Sequence, residues 1–198
     1  LLPLTAMDAE VKSPNGNIVL TFDVENGRPV YSMTYKGREV VRPSHLGLEL
    51  AKDKHASKGL KETDLMDGFT LKSEQTRECD ETWQPVWGET RDIRNHYNEY
   101  AAVLQQPTEQ RTIVIRFRVY DDGIGFRYEF PQQQSLNYFL IKEEHSEFAM
   151  AGDHTAWWLP GDYDTQEQET QESRLSEIRG RFKEAVNWGN SSVAGFSP

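Results

Sequence analysis

Residues 113–130 carry the sequence IVIRFRVYDDGIGFRYEF, and this stretch decides the fold class. Apolar side chains alternate with polar ones on both sides of Asp121, Asp122 and Gly123, which is typical of two half-buried strands. The Asp-Gly pair favours a tight turn because both residues tolerate positive φ. Pro131 ends the second strand, since proline cannot donate to a strand ladder. The stretch therefore predicts an antiparallel hairpin.

The same alternation recurs upstream, in residues 18–24. The apolar residues of that segment are Ile18, Leu20, Phe22 and Val24. Asn26 and Gly27 follow as a hairpin signal, and residues 30–35 return as a second strand. A turn at Lys36 and Gly37 leads into a third strand. These features predict a three-stranded meander.

Further strands are expected along the rest of the chain. They cover residues 46–50, 69–77, 96–104, 136–141 and 147–150. Residues 51–67 are polar and charged and predict a loop, whereas apolar residues at helical spacing in 173–186 predict one helix, which Gly180 weakens. About ten closely spaced strands are typical of a sandwich or a barrel. The predicted fold class is all-β, an antiparallel β-sandwich.

Composition excludes several functions. The formal net charge is -10 and the sequence pI is about 5.0, so phosphate backbones and anionic membrane surfaces would be repelled and nucleic acid is not an expected partner. The single cysteine, Cys79, cannot form an internal disulfide or a zinc site. No run of 18 apolar residues is present, so we expect no membrane span.

The two ends of the sequence differ from its middle. Residues 1–10 are expected to be a signal-peptide remnant or an N-terminal arm, because residues 1–6 are apolar and end in small side chains. Residues 11–186 form the predicted β-sandwich domain. Residues 187–198 are rich in Gly, Ser and Asn and predict a loop or linker.

No catalytic motif stands out. The five histidines are scattered, and neither a His-Glu-x-x-His sequence nor a Gly-x-Ser-x-Gly sequence is present. One segment, residues 161–170, is dense in oxygen side chains of the kind that calcium binds. It begins like an EF-hand loop, but Glu167 stands where that loop needs glycine. From spacing alone the segment is either a solvated acidic loop or a donor of one or two ligands to a site completed elsewhere.

Tryptophan and tyrosine side chains form a second group of interest. Its members are Trp83, Trp87, Trp157, Trp158 and Tyr163. Polar residues that could bind sugar hydroxyls accompany these rings, and the rings themselves could stack on sugars. Equally, tryptophans bury large areas in a sandwich core. Exposure in a concave row would favour binding, and burial would favour a supporting role.

Several longer motifs resemble glycoside hydrolase family 97. They are ETWQPVWGE at 81–89, IRNHYNE at 93–99, DGIGFRYEFP at 122–131, IKEEHS at 141–146, WLPGDYDT at 158–165 and RLSEI at 174–178. Together they cover nearly the whole chain, and the resemblance is greatest to the periplasmic, calcium-dependent α-glucosidases of starch-utilisation systems. Residues 168–170 lack the aromatic residue that the family has there, and residues after Glu184 match poorly.

The resemblance implies a fold, a partner and a cofactor. The fold would be the β-supersandwich of galactose mutarotases, and a C-terminal (β/α)₈ barrel would carry the catalytic acid and base. No catalytic residue is expected in this chain, which alone should be inactive. A Ca²⁺ ion would sit in the active site of the intact enzyme, with Glu167 as its one ligand from this domain. Asp164 and Trp158 are the expected contacts to the oligosaccharide substrate.

The resemblance leaves alternatives open. The first expectation is an exported, periplasmic enzyme that hydrolyses α-glucosidic bonds of starch-derived oligosaccharides with inversion of the anomeric configuration. A retaining α-galactosidase of the same family is the second. A free-standing carbohydrate-binding module and a purely supporting domain are the third and fourth, and exposure of the tryptophans would distinguish these two.

Overall fold

The computed structural model describes residues 9–51, 64–160 and 169–185. The chain divides into two compact units, Leu1–Ala149 and Met150–Pro198. The strands are β1 (Ala9–Lys12), β2 (Ile18–Glu25), β3 (Arg28–Tyr35), β4 (Arg38–His45), β5 (Leu48–Leu50), β6 (Thr70–Trp83), β7 (Ile93–Gln106), β8 (Arg111–Val119), β9 (Ile124–Glu129), β10 (Ile141–Glu144), β11 (Thr155–Trp158) and β12 (Gln171–Arg174). The helical pieces are two 3₁₀ turns, Gln134–Leu136 and Leu175–Glu177, and α1 (Ile178–Ala185).

The first unit contains two four-stranded antiparallel sheets. One has the order β1-β2-β3-β4 and the other the order β6-β7-β8-β9. The hairpin predicted over 113–130 is β8 with β9, in which Arg116 lies opposite Arg127 and Phe117 opposite Phe126. A hydrogen bond of 2.8 Å from the Tyr120 amide to the Gly123 carbonyl closes its turn. The all-β, antiparallel fold class is confirmed.

The meander is also confirmed, with a tight turn between β2 and β3. Asn26 and Gly27 adopt φ values of 50° and 81°, the left-handed conformation that a two-residue hairpin turn requires. A side chain at Gly27 would be further restricted, because its Cβ would lie 3.0 Å from the backbone nitrogen of Gly68. Turn geometry and close packing together favour glycine here.

Apolar faces of the two sheets meet in the core of the first unit. Phe117 of β8 is fully buried, and its ring centroid lies 5.6 Å from that of Phe22 and 5.9 Å from that of Tyr31. Leu20, Leu104 and Ile115 are buried as well. Burial of side chains of this size stabilises a fold by about 1.5–3 kcal/mol each.

Two predicted strands differ from the structure. Residues 136–141 form the end of a 3₁₀ turn and an irregular stretch, and the strand begins only at Ile141. Residues 147–150 form no strand, although the Glu147 amide donates to the His45 carbonyl and the Ala149 carbonyl accepts from Arg42. The alternating apolar residues therefore belong to an extended segment that hydrogen-bonds to β4 without forming a continuous strand ladder.

The helix predicted at 173–186 is shorter than expected. Ser173 lies in β12, and α1 occupies Ile178–Ala185 after a 3₁₀ turn. A small apolar cluster in the described part of the second unit contains the buried Trp158 and Ile178, with Ala156, Leu175 and Phe182 packed against them. Helical spacing thus identified the helix but not its start, since Ser173 pairs with Ala156 across the β11–β12 hairpin.

The predicted segments at the two ends lie largely outside the described residues, although residues 9–10 form the start of β1. Among the residues that the structure describes, no helix is long and apolar enough to cross a membrane.

Candidate functional site

The predicted calcium segment is bracketed by a two-stranded hairpin. Strands β11 and β12 pair antiparallel, with Trp158 opposite Gln171, so residues 159–170 form the connection between them. Asp164 and Glu167 belong to residues 161–168, which lie outside the described residues. Their predicted roles stay predictions.

Hydrogen bonds hold the opposite end of this hairpin. Both carboxylate oxygens of Asp153 accept from Ser176, one from its amide and one from its hydroxyl, each at 2.9 Å. These bonds lower the pKa of Asp153. The Leu175 amide donates to the carbonyl of His154 at 3.0 Å, and the Arg174 guanidinium donates to the Asp153 carbonyl. These hydrogen bonds therefore join the segment before β11 to the segment after β12, at the end of the hairpin where Thr155 pairs with Arg174.

Trp158 is a core residue of the second unit. Its side chain is only 6% exposed, and its indole Nε1 donates a 2.9 Å hydrogen bond to the hydroxyl of the buried Ser173. Trp157, the preceding residue along the strand, points to the opposite face and is 69% exposed. Substrate contact by Trp158 stays a prediction, and the structure gives that side chain a packing role.

Exposure separates the tryptophans into two groups. Trp83 and Trp87 lie at and beyond the end of β6, and they are 49% and 89% exposed. Trp157 is exposed as well, whereas Trp158 is buried. Three of these four candidate rings for sugar stacking are thus accessible, but they belong to different units.

One group of potential metal ligands occurs among the described residues, and the sequence pattern did not identify it. Single ligand atoms of Glu49, Glu143 and His145 lie within 4.8 Å of one another. Calcium prefers oxygen ligands, but this set includes an imidazole. The Lys142 ammonium already binds Glu49 and, with His145, lowers its pKa. The group fits an ion-pair cluster better than a calcium site.

A larger charged network covers the outer face of the β6–β9 sheet. At its centre is Glu99 of β7, which is only 4% exposed. Its carboxylate accepts hydrogen bonds from Arg116 Nη1 at 2.8 Å, Arg118 Nε at 3.0 Å and Arg77 Nη2 at 3.3 Å. Burial opposes ionisation of Glu99, but the hydrogen bonds from Arg118 and Arg116 outweigh it and lower its pKa. The buried carboxylate is therefore charged and paired.

Glu129 of β9 forms the second centre of the network. Arg116 binds both of its oxygens, through Nε at 2.7 Å and Nη2 at 2.9 Å, and Arg127 Nε donates at 2.8 Å. The fork of Arg116 lowers the pKa of Glu129 to about 2 despite its partial burial, and Arg127 adds to the effect. Arg116 thus links the two carboxylates.

These side chains line an open cleft of about 480 Å³. The lining residues are Gln75, Thr76, Arg77, Glu99, Arg116, Arg118 and Arg127. The Arg118 guanidinium lies 4.4 Å from the ring centroid of Tyr97, a cation–π contact that helps to fix its position. Strand alternation places Arg116, Arg118 and Arg127 on one face, but finding Glu99 among them requires the strand register.

Known proteins resemble the chain in sequence and in structure. The family model described as Glycosyl-hydrolase 97 N-terminal matches residues 11–192. A glycoside hydrolase family 97 enzyme from Pseudoalteromonas sp. strain K8, solved in complex with acarbose, is 33% identical with a TM-score of 0.75 over 85% of this chain and 25% of that one. The E480Q form of a family 97 enzyme from the same strain, solved with panose, is 33% identical with a TM-score of 0.74 over 84% and 24%.

A more distant structure, described as a beta-arabinopyranosidase, is 24% identical with a TM-score of 0.65 over 80% of this chain and 23% of that one, which supports the fold alone. The chain spans about a quarter of the length of these structures.

Proposed function

The chain belongs to family 97 of the glycoside hydrolases, as a match to their N-terminal domain, and from this premise we propose a role in cleavage of α-glucosidic bonds. The parent enzyme would act on starch-derived oligosaccharides, and this domain would support its C-terminal catalytic barrel. The observation that carries the proposal is 33% identity to enzymes solved with panose and acarbose. Panose consists of α-linked glucose units, which is the bond type proposed here.

Calcium is the second element of the proposal. In the intact enzyme, Glu167 would donate a carboxylate oxygen to a Ca²⁺ ion, with the remaining ligands supplied from outside this chain. Two observations support it: residues 161–170 are rich in carboxylate and amide oxygens, and the β11–β12 hairpin fixes both ends of that connection. Such an ion would supply positive charge to stabilise developing negative charge on a substrate oxygen.

Substrate contacts and location complete the proposal. Asp164 would accept hydrogen bonds from sugar hydroxyls, and Trp158 would be a second contact to the substrate. We also propose an exported, periplasmic protein, because residues 1–6 are apolar and end in small side chains, a composition typical of signal peptides. A retaining α-galactosidase of the same family is the alternative activity. The three exposed tryptophans favour a carbohydrate-binding module as the alternative from another class.

The test is an assay of the full-length protein, with this chain alone as the matched control. Aryl α-glucosides, aryl α-galactosides and maltooligosaccharides are supplied separately, and proton NMR follows the anomer released first. Turnover of α-glucosides with release of the β-anomer is expected from the full-length protein only. Turnover of α-galactosides with retention would support the alternative, and turnover by this chain alone would contradict a non-catalytic role.

A further inference from the structure

We propose that the cleft on the outer face of the β6–β9 sheet binds a small oxoanion, above all a carboxylate, between Arg77, Arg118 and Arg127. The inference is independent of the proposed activity, whose substrate is neutral, and of the proposed calcium ligand. It rests on the charge, the rigidity and the shape of one group of side chains in the first unit.

The side chains around the cleft carry a surplus of positive charge. Four guanidinium groups, from Arg77, Arg116, Arg118 and Arg127, surround the two carboxylates of Glu99 and Glu129, so four positive charges against two negative ones leave a local charge of +2. The whole chain, in contrast, has a formal net charge of -10. Neutralising the charge of two carboxylates would need only two arginines. The surplus pair therefore points to an anion that the cleft receives from outside.

The arginines are held in place before any anion binds. The buried Glu99 carboxylate fixes Arg77 and Arg118, with Tyr97 also accepting from Arg77 at 3.0 Å through its hydroxyl oxygen. Glu129 fixes Arg127. Because the side chains are ordered by these internal bonds, an anion would not have to provide that ordering, and preorganised donors bind more tightly for this reason.

Shape and donor chemistry select the class of ligand. A guanidinium presents a planar fork of N–H donors that matches the two oxygens of a carboxylate or of a sulfate. The cleft, at about 480 Å³, has room for a molecule larger than the anionic group itself, and Gln75 and Thr76 add neutral polar side chains to its wall. An acidic monosaccharide, with one carboxylate and several hydroxyls, would satisfy both features.

The surplus arginines can be removed without leaving an unpaired carboxylate. In Arg77→Gln, Glu99 keeps Arg116 and Arg118, and in Arg127→Gln, Glu129 keeps Arg116. The double variant R77Q/R127Q therefore has two arginines for two carboxylates and should remain folded. Arg91→Gln is the matched control, since Arg91 is an exposed arginine in the β6–β7 connection and does not line the cleft.

Binding is measured on the purified chain by two-dimensional NMR, at constant ionic strength set with sodium chloride. The probes are sodium glucuronate and sodium sulfate, with glucose as the neutral counterpart of glucuronate. We expect saturable shifts of amide signals in β6, β8 and β9 with glucuronate and none with glucose. R77Q/R127Q should weaken glucuronate binding at least tenfold, Arg77→Lys should weaken it less, and Arg91→Gln should leave it unchanged.

Several results would overturn the proposal. They are shifts that never saturate, equal shifts with glucose, and equal binding by R77Q/R127Q. If the NMR spectrum showed that the double variant was unfolded, Arg127→Gln alone would be tested instead. That variant should bind glucuronate at least threefold more weakly than wild type, and unchanged binding would contradict the site. Saturable sulfate binding at the same amides without glucuronate binding would overturn the preference for a carboxylate and identify a tetrahedral oxoanion as the ligand.

Discussion

The two units of the chain contrast in how they bury side chains. The first, Leu1–Ala149, packs two four-stranded sheets around a large apolar core. Among the described residues of the second, Met150–Pro198, the apolar cluster has only two buried members, Trp158 of β11 and Ile178 of α1. The proposed calcium ligand Glu167 and the proposed substrate contacts Asp164 and Trp158 belong to the second unit, whereas the proposed anion cleft belongs to the first. The larger core therefore determines the fold, whereas the proposed calcium and substrate contacts depend on a two-stranded hairpin that packs on a small apolar cluster.

Truncation of a core side chain in the first unit should destabilise the protein most. Phe117→Ala should lower the free energy of unfolding by about 3–5 kcal/mol, because the fully buried ring would leave a cavity between the sheets. Urea denaturation followed by circular dichroism measures the change. Tyr138→Ala is the control, since that ring is 72% exposed and its removal should change stability by less than about 0.5 kcal/mol. Equal effects would contradict the assigned core.

A smaller loss is expected on the outer face of the same sheet. Glu99→Gln removes the charge that pairs with Arg77, Arg116 and Arg118, and we expect destabilisation of about 2–3 kcal/mol. Glu25→Gln, at an exposed position, should be nearly neutral. The same denaturation experiment compares the two variants, and a Glu99→Gln variant as stable as wild type would mean that the network contributes nothing to the fold.

The second unit should respond locally. Trp158→Ala removes a side chain buried at the centre of its apolar cluster, so amide protection in β11 and β12 should fall by about tenfold or more while the first unit keeps its protection. Trp157→Ala changes the neighbouring, exposed ring and should leave protection nearly unchanged. Native-state hydrogen exchange distinguishes the two outcomes. Loss of protection throughout the first unit would contradict the division into units.

The smallest effect concerns pH. The folded protein holds the pKa of Glu129 at about 2, below its usual value of 4.5, so its ionised form stabilises the fold at neutral pH. Because the folded pKa is depressed, that contribution is complete above pH 4.5 and is lost as the pH falls towards 2. The stability difference between wild type and Glu129→Gln, about 1 kcal/mol at neutral pH, should disappear over this interval. A stability difference between the two proteins that did not change with pH would contradict the lowered pKa of Glu129.

How much the sequence predicts also differs between regions. Alternation predicted β2 and β8, along which buried and half-buried positions largely alternate, and β9, along which half-buried and exposed positions alternate. Strand β3 was predicted because it returns after the Asn26–Gly27 turn, and its burial does not alternate. The sequence predicted only residues 69–77 of β6, since that 14-residue strand is exposed almost throughout and its sequence carries no alternation. Residues 136–141 and 147–150 are apolar enough to suggest strands, but ladder pairing depends on neighbours that the local pattern does not specify.

The candidate sites also differ in how far the sequence alone predicts them. Family resemblance assigned Glu167, which spacing alone left as either a ligand or a solvated side chain. No local pattern could assign Glu99, because its partners Arg77 and Arg118 come from β6 and β8 and meet it only through the register of three strands. Sites built within one segment can be predicted from sequence, and sites built across strands require the structure.

The proposed role of Glu167 as a calcium ligand is tested by measuring calcium binding to the full-length protein. Isothermal titration should give a tight site in the full-length protein and none in this chain alone, because one carboxylate cannot replace the roughly six to eight oxygens of a hydrated calcium ion. Glu167→Gln should weaken calcium binding at least tenfold with the fold intact, whereas Glu169→Gln, its neighbour in the same connection, should not. Calcium binding by Glu167→Gln equal to that of the wild type would contradict the account.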